Sequence, residues 1–201
     1  MQNGMVMQRG KEDVCEIYLK SERPIQSASY ASVGVDESRP VLVESADNHY
    51  RLAGIPVGGP YTVTVDDKVF TDIYVGDVWI LGGQSNMEGI AWYEPEDVAF
   101  KGRGDVRALY MTDVWGPARH PLHELWKAVD KVHTEALGAG ERAPHCGVGP
   151  GLRLFQDMAR LYTVEAPEAL AGKSCNYSDP ISVTILKTRW KSCILNLATA
   201  S

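Results

Sequence analysis

Ser85 is the residue in this chain best placed to do chemistry. It stands in Gly82-Gly83-Gln84-Ser85-Asn86-Met87-Glu88-Gly89, directly after the apolar run Val78 to Leu81. An apolar run of that length reads as a buried strand. Glycines after it let the backbone turn sharply, and a serine at the carboxyl end of a sheet strand sits where open α/β sheets bind ligands. If a helix starts near Asn86, its first N–H groups lack internal partners and can stabilise an oxyanion. The competing reading is an ordinary turn after a strand, which the same residues would also make. The serine elbow Gly-x-Ser-x-Gly is incomplete, because Met87 occupies its last position.

A serine needs a base, and the base needs a third group to orient it. The sequence holds one Asp-x-x-His, Asp130-Lys131-Val132-His133. His49, His120, His123 and His145 are the other histidines, and a surface or loop role competes for each. Pro121 between His120 and His123 argues against a helix showing both on one face, so no metal site is expected. Trp92, Tyr93 and the acids Glu94, Glu96 and Asp97 follow the serine. They could form a substrate rim, or the acids could simply stabilise a helix start.

Composition sets the outer limits. With 201 residues, 44% hydrophobic and 23% charged, the chain can bury one sizeable core or two small ones. A net charge of −6 with no basic stripe argues against a nucleic-acid partner. No run reaches the ~18 apolar residues of a membrane-spanning helix, and the first residues lack the apolar segment of a signal peptide. Localisation and oligomeric state stay open. Cys15, Cys146, Cys175 and Cys193 fit no zinc or redox spacing. They permit three disulfide pairings, with buried free thiols the favoured alternative.

Residues 1–72 read as strands and turns. Tyr61-Thr62-Val63-Thr64-Val65 alternates, Asp66-Asp67 turns, and Lys68 to Ile73 returns, which predicts a hairpin. Val14, Ile17 and Leu19 mark another strand, as does Val41-Leu42-Val43. A small antiparallel β-sandwich is expected here. Beyond the serine, Asp105 to Met111 and Ile181 to Lys187 alternate as strands. Leu152, Phe155, Met158, Ala159 and Tyr162 fall at helical spacing, behind a glycine-rich entry that has no Lys-Ser/Thr pair for phosphate.

Val75-Gly76-Asp77-Val78-Trp79 followed by Gly83-Gln84-Ser85-Asn86-Met87 resembles the first sequence block of the sialate O-acetylesterase-like carbohydrate esterases, of the SGNH/GDSL hydrolase superfamily. The glycine-rich entry at Gly147 to Gly151 resembles a second block. The resemblance covers roughly residues 40 to 163. It implies an α/β, flavodoxin-like SGNH-hydrolase domain over residues 73–164, after an accessory β-domain at 1–72 and before a divergent tail at 165–201. It implies that Ser85 attacks an acetyl ester of a carbohydrate, with backbone N–H groups at Ser85 and Asn86 as oxyanion donors and no cofactor. Gln84, Trp92, His123 and Trp126 become substrate-binding candidates.

The same resemblance exposes a gap. The family supplies its base from an Asp-x-x-His near the carboxyl terminus, yet no histidine occurs after His145. Asp130 with His133 is the alternative pair, although the family's pattern assigns that position to an insertion. The expectation is an incomplete hydrolase domain, the amino-terminal part of a longer esterase whose end is replaced by unrelated sequence. Its activity would be impaired. A non-catalytic glycan-binding fragment is the other reading.

Overall fold

A computed structural model describes residues 1–81, 91–99, 103–122, 124, 127–130, 146–155 and 181–184. The described part is mostly strand. Its centre is β8 (Lys68–Ile80), a 13-residue strand whose two halves have different neighbours. The first half pairs antiparallel with β7 (Gly58–Val65), closing the hairpin over Asp66 and Asp67. The middle pairs parallel with β1 (Val6–Gln8). The last part pairs parallel with β13 (Ile181–Thr184), from Asp77 opposite Ile181 to Ile80 opposite Thr184.

From β13 the sheet continues to β10 (Val106–Leu109), parallel, and to the antiparallel edge strand β11 (Trp115–Pro117). On the other side, β7 leads to β3 (Ala28–Ser32) and β4 (Arg39–Pro40). One eight-stranded mixed sheet results. A second, three-stranded antiparallel sheet holds β2 (Val14–Lys20), β6 (His49–Pro56) and β5 (Leu42–Ala46). The turn from β5 to β6 uses Asp47 and Asn48, both at positive φ (50° and 63°). That conformation suits a two-residue hairpin turn, and Asp and Asn tolerate it best among side-chain-bearing residues.

Two apolar clusters hold these sheets. The larger draws Cys15, Leu52 and Ile55 from the three-stranded sheet, and Tyr30, Tyr61, Val63, Ile73 and Val75 from the large one. The alternation of β7 places Tyr61, Val63 and Val65 inward, as the sequence pattern requires. Tyr30 and Tyr61 meet edge to face at 5.4 Å between ring centroids. Cys15 is a free thiol in this cluster, and burial pushes it up to about 11. It stays protonated and behaves as a small apolar group.

The smaller cluster surrounds the end of β8: Leu81, Val106, Ala108, Ala118, Leu122, Leu152 and Phe155. Here β10 departs from simple alternation, since Val106, Arg107 and Ala108 are all buried. Val106 and Ala108 face the cluster. Arg107, only 4% exposed, pairs with Asp72 at its other side, donates to the Gly4 carbonyl at 3.3 Å and lies 5.1 Å from the Tyr74 ring centroid. Gly4 sits at φ 76°, and a Cβ there would stand 2.8 Å from the guanidinium. Glycine is therefore required by both conformation and space.

The guanidinium side chain is only 5% exposed, whereas that of Asp72 is 44% exposed and keeps some water. Removing the acid should then cost more than removing the base. Asp72→Asn is expected to lower unfolding free energy by about 3 kcal/mol, because it strands a buried charge, and Arg107→Met by about 1 kcal/mol. Urea denaturation of the two variants measures this order; equal losses, or a larger loss in Arg107→Met, would contradict it.

Candidate active site

Parallel strands ending in one row create the edge where α/β sheets carry their sites. Ile80 of β8, Thr184 of β13 and Leu109 of β10 stand opposite one another in register, and Trp115 of β11 faces Leu109. Leu81 follows immediately and is 8% exposed, anchoring the end of β8 in the smaller cluster.

The helical run 150–155 packs onto this end. Pro150 begins it, where a missing N–H costs nothing. Gly151 comes next, and a Cβ there would overlap a methyl group of Leu81. Phe155 reaches the Trp79 ring, with 6.2 Å between centroids. Close approach at Gly151 is what lets the helix start touch the strand end. Replacing Gly151 with alanine is expected to destabilise by about 1–3 kcal/mol through overpacking. A thermal melt of Gly151→Ala against wild type checks this, and an unchanged midpoint would refute the tight contact.

A polar group lies beside the same helix. In α1 (Pro95–Ala99), the Glu94 N–H donates to Asp97 Oδ2 at 3.1 Å, and the Asp97 N–H donates to the Glu94 carbonyl at 3.0 Å. The first bond is one half of a capping box, with the Asp97 carboxylate reaching back to the N–H before the helix. Asp97 also accepts from Arg153 at 2.8 Å, though it is only 7% exposed. The Glu94 N–H and then Arg153 hold its carboxyl below the ordinary range, against the effect of burial. The acids after Trp92 thus include one with a structural role. Nearby, His120 meets the Tyr93 ring edge to face at 5.9 Å. Burial pushes His120 down, and the Asp97 charge partly offsets that.

The candidates from sequence divide unevenly. Gln84, Ser85, Asn86, His123, Trp126 and His133 lie outside the described residues. Trp92 is 66% exposed, in the short strand β9 (Ala91–Trp92), opposite Cys146 of β12 (Cys146–Val148). Asp130 is half-buried, next to Val129, whose N–H donates to the Met111 carbonyl at 2.9 Å. Asp97, Arg153 and His120 form a group that sequence reasoning did not assemble. Only the reading of Glu94, Glu96 and Asp97 as acids at a helix start offered a signal, and it held one member of the group. Among the described residues, no group of three or more His, Cys, Asp or Glu could hold a metal ion. Nor is any helix among them long and apolar enough to cross a membrane.

Residues 75–171 match the family model of the carbohydrate esterases described as sialic acid-specific acetylesterases. The match starts within β8 at Val75, where the first sequence block begins and later than the start of the expected 40–163 span, and it runs further, to residue 171. The resemblance to this family is shown for that stretch. No curated protein matches the chain. Among solved structures, a carbohydrate acetylesterase from Xanthomonas citri is similar at 20% identity and a TM-score of 0.42. The alignment covers 92% of this chain and 38% of that one, so the chain spans well under half the length of that protein.

The polar group makes stability depend on pH. Burial favours neutral His120, so the folded protein binds that proton less well than the unfolded chain. Its contribution is complete above the ordinary histidine value of about 6.5 and is lost as pH falls below it. Asp97, held down, adds a second loss below the ordinary aspartate value of about 3.9. The melting temperature is expected to fall between pH 7 and pH 5, with a shallower slope in His120→Gln. Parallel slopes in the two proteins would exclude His120 as the source.

Proposed function

We propose that the chain follows the plan of a serine esterase that removes acetyl groups from carbohydrate. The observation that carries this reading is the family match over residues 75–171, which encloses Gly83-Gln84-Ser85-Asn86-Met87. The fold proposed for it is an SGNH-type α/β domain over residues 73–164, after a β-sandwich at 1–72 and before a separate tail at 165–201. The row formed by Ile80, Thr184 and Leu109 supports the reading, because Ser85 follows β8 in sequence.

The chemistry is acyl transfer in two steps. The Ser85 hydroxyl gives its proton to a base as Oγ attacks the acetyl carbonyl. Backbone N–H groups of Ser85 and Asn86 take the negative charge of the tetrahedral intermediate. The sugar oxygen leaves with a proton, and water then releases acetate from Ser85. His133, oriented by Asp130, is the pair proposed for proton transfer. Gln84, Trp92, His123 and Trp126 are proposed to contact the sugar.

A second reading is a protein that binds glycan without turning it over, because the one Asp-x-x-His within residues 1–201, Asp130 to His133, stands where the family's pattern has an insertion. Hydrolysis of p-nitrophenyl acetate separates the two. The esterase reading expects kcat/KM to fall at least ~100-fold in Ser85→Ala and substantially in His133→Ala. Covalent labelling by a fluorophosphonate should also vanish in Ser85→Ala. Equal hydrolysis by wild type and Ser85→Ala would remove Ser85 as nucleophile. Labelling at Ser85 without turnover would favour the second reading.

A further inference from the structure

The loop after β10 and the edge strand β11 enclose a groove of about 570 Å³, a size typical of small-ligand sites. It opens beside the row where β8, β13 and β10 end, because Tyr110 directly follows Leu109 and Trp115 faces it. Its lining includes Tyr110, Trp115, Arg119, His120, Glu124 and Lys127. We propose that this groove is a subsite for a sugar carboxylate, with Arg119 as the anion partner and the Trp115 indole as the surface for the sugar ring. The inference rests on the carbohydrate reading above and assigns residues that reading does not use.

Charge is the first argument. The chain carries a net −6, yet two of the three fully charged groups lining the groove are cations. Lys127 is already matched by Glu124, with 2.8 Å between Nζ and Oε1. The salt bridges among the described residues do not include Arg119; its side chain also reaches the Tyr110 hydroxyl, but that neutral partner leaves its charge unmatched and able to meet an anion. A guanidinium presents two parallel N–H donors whose spacing fits both oxygens of a carboxylate.

Rigidity is the second argument. The Arg119 N–H donates to the Tyr110 hydroxyl at 3.1 Å, and that hydroxyl donates to the Pro117 carbonyl at 2.5 Å. One half-buried phenol therefore fixes the backbone from which the Arg119 side chain extends. A stem that starts from a fixed point loses less entropy on binding. Trp115, half-buried and paired with Leu109, is fixed in the same way by the sheet. The apolar face of a pyranose can lie on its ring while the carboxylate reaches Arg119.

Two kinds of sugar carry such a carboxylate: a sialic acid bearing the ester itself, and a uronic acid neighbouring the acetylated residue. The test uses full-length Ser85→Ala, so that no turnover intervenes, in calorimetric titrations with N-acetylneuraminate, trigalacturonate and xylotriose. At least one acidic sugar is expected to bind about tenfold or more tightly than xylotriose, and to weaken as salt rises. Which acid binds tells the two sources apart. Arg119→Ala should lose about tenfold for the acidic sugar alone, and Arg119→Lys should recover part of it. Thermal melts confirm that the exposed Arg119 variants are folded. Equal binding of acidic and neutral sugars would overturn the carboxylate subsite while leaving the carbohydrate reading intact. So would an Arg119→Ala variant with unchanged affinity. Retained acidic-sugar binding without p-nitrophenyl acetate hydrolysis by wild type would support the subsite and overturn the esterase reading.

Discussion

A positive charge held away from water has to be answered from several directions, and in this protein Arg107 is answered from three. Asp72 supplies the counter-charge, the Gly4 carbonyl an acceptor, and Tyr74 a ring face. These groups belong to the first residues of the chain, to β8 and, through Arg107 itself, to β10. Satisfying one buried guanidinium therefore brings the amino terminus against the central strand and sets where β10 lies. Desolvation makes such an arrangement expensive to form and more expensive to form incompletely. The gain is specificity of placement more than net stability.

Placement matters because β8 serves two structures at once. Its first half belongs to the larger apolar cluster, where it closes a hairpin with β7 and faces the three-stranded sheet. Its last residues belong to the smaller cluster and to the row of parallel strand ends. A continuous 13-residue strand transmits position between these regions without a hinge. Gly151 then brings a helix start onto Leu81. The strand end that leads to Ser85 is thereby fixed on the sheet side by hydrogen bonds and on the helix side by contact.

Much of this framework was legible from local pattern, and the rest was not, for definable reasons. The hairpin of β7 and β8 could be read because inward and outward residues alternate and a two-acid turn separates them. The strand at Ile181 could be read as a strand. Its insertion between β8 and β10 could not, because periodicity says nothing about partners and this order is not sequential. Arg107 was illegible for the opposite reason. Between Val106 and Ala108, alternation assigns it to solvent, and only tertiary structure covers that second face. Asp97 looked like one of several acids near a helix start. That it alone is buried against Arg153 depends on a helix more than fifty positions away, which no local window contains. Ser85 itself was singled out by its sequence block, and the family match encloses it.

The position of β13 has a consequence for how the molecule assembles. β8 and β10 lie within about thirty residues of each other in sequence but are not neighbours in the sheet, since Ile181–Thr184 lies between them in parallel register with both. Until Ile181–Thr184 arrives, each of these strands presents an unpaired edge toward the other. The hairpins of the amino-terminal half can close early, through local contacts alone. The sheet edge beside the candidate site depends on pairings far apart in sequence, which form slowly because loop entropy must be lost first. During that interval the protein carries open strand edges able to pair with other chains. The pairing of β13 with β8 and β10 is thus completed after the local hairpins, and these strand edges are the more exposed to intermolecular association in the interval.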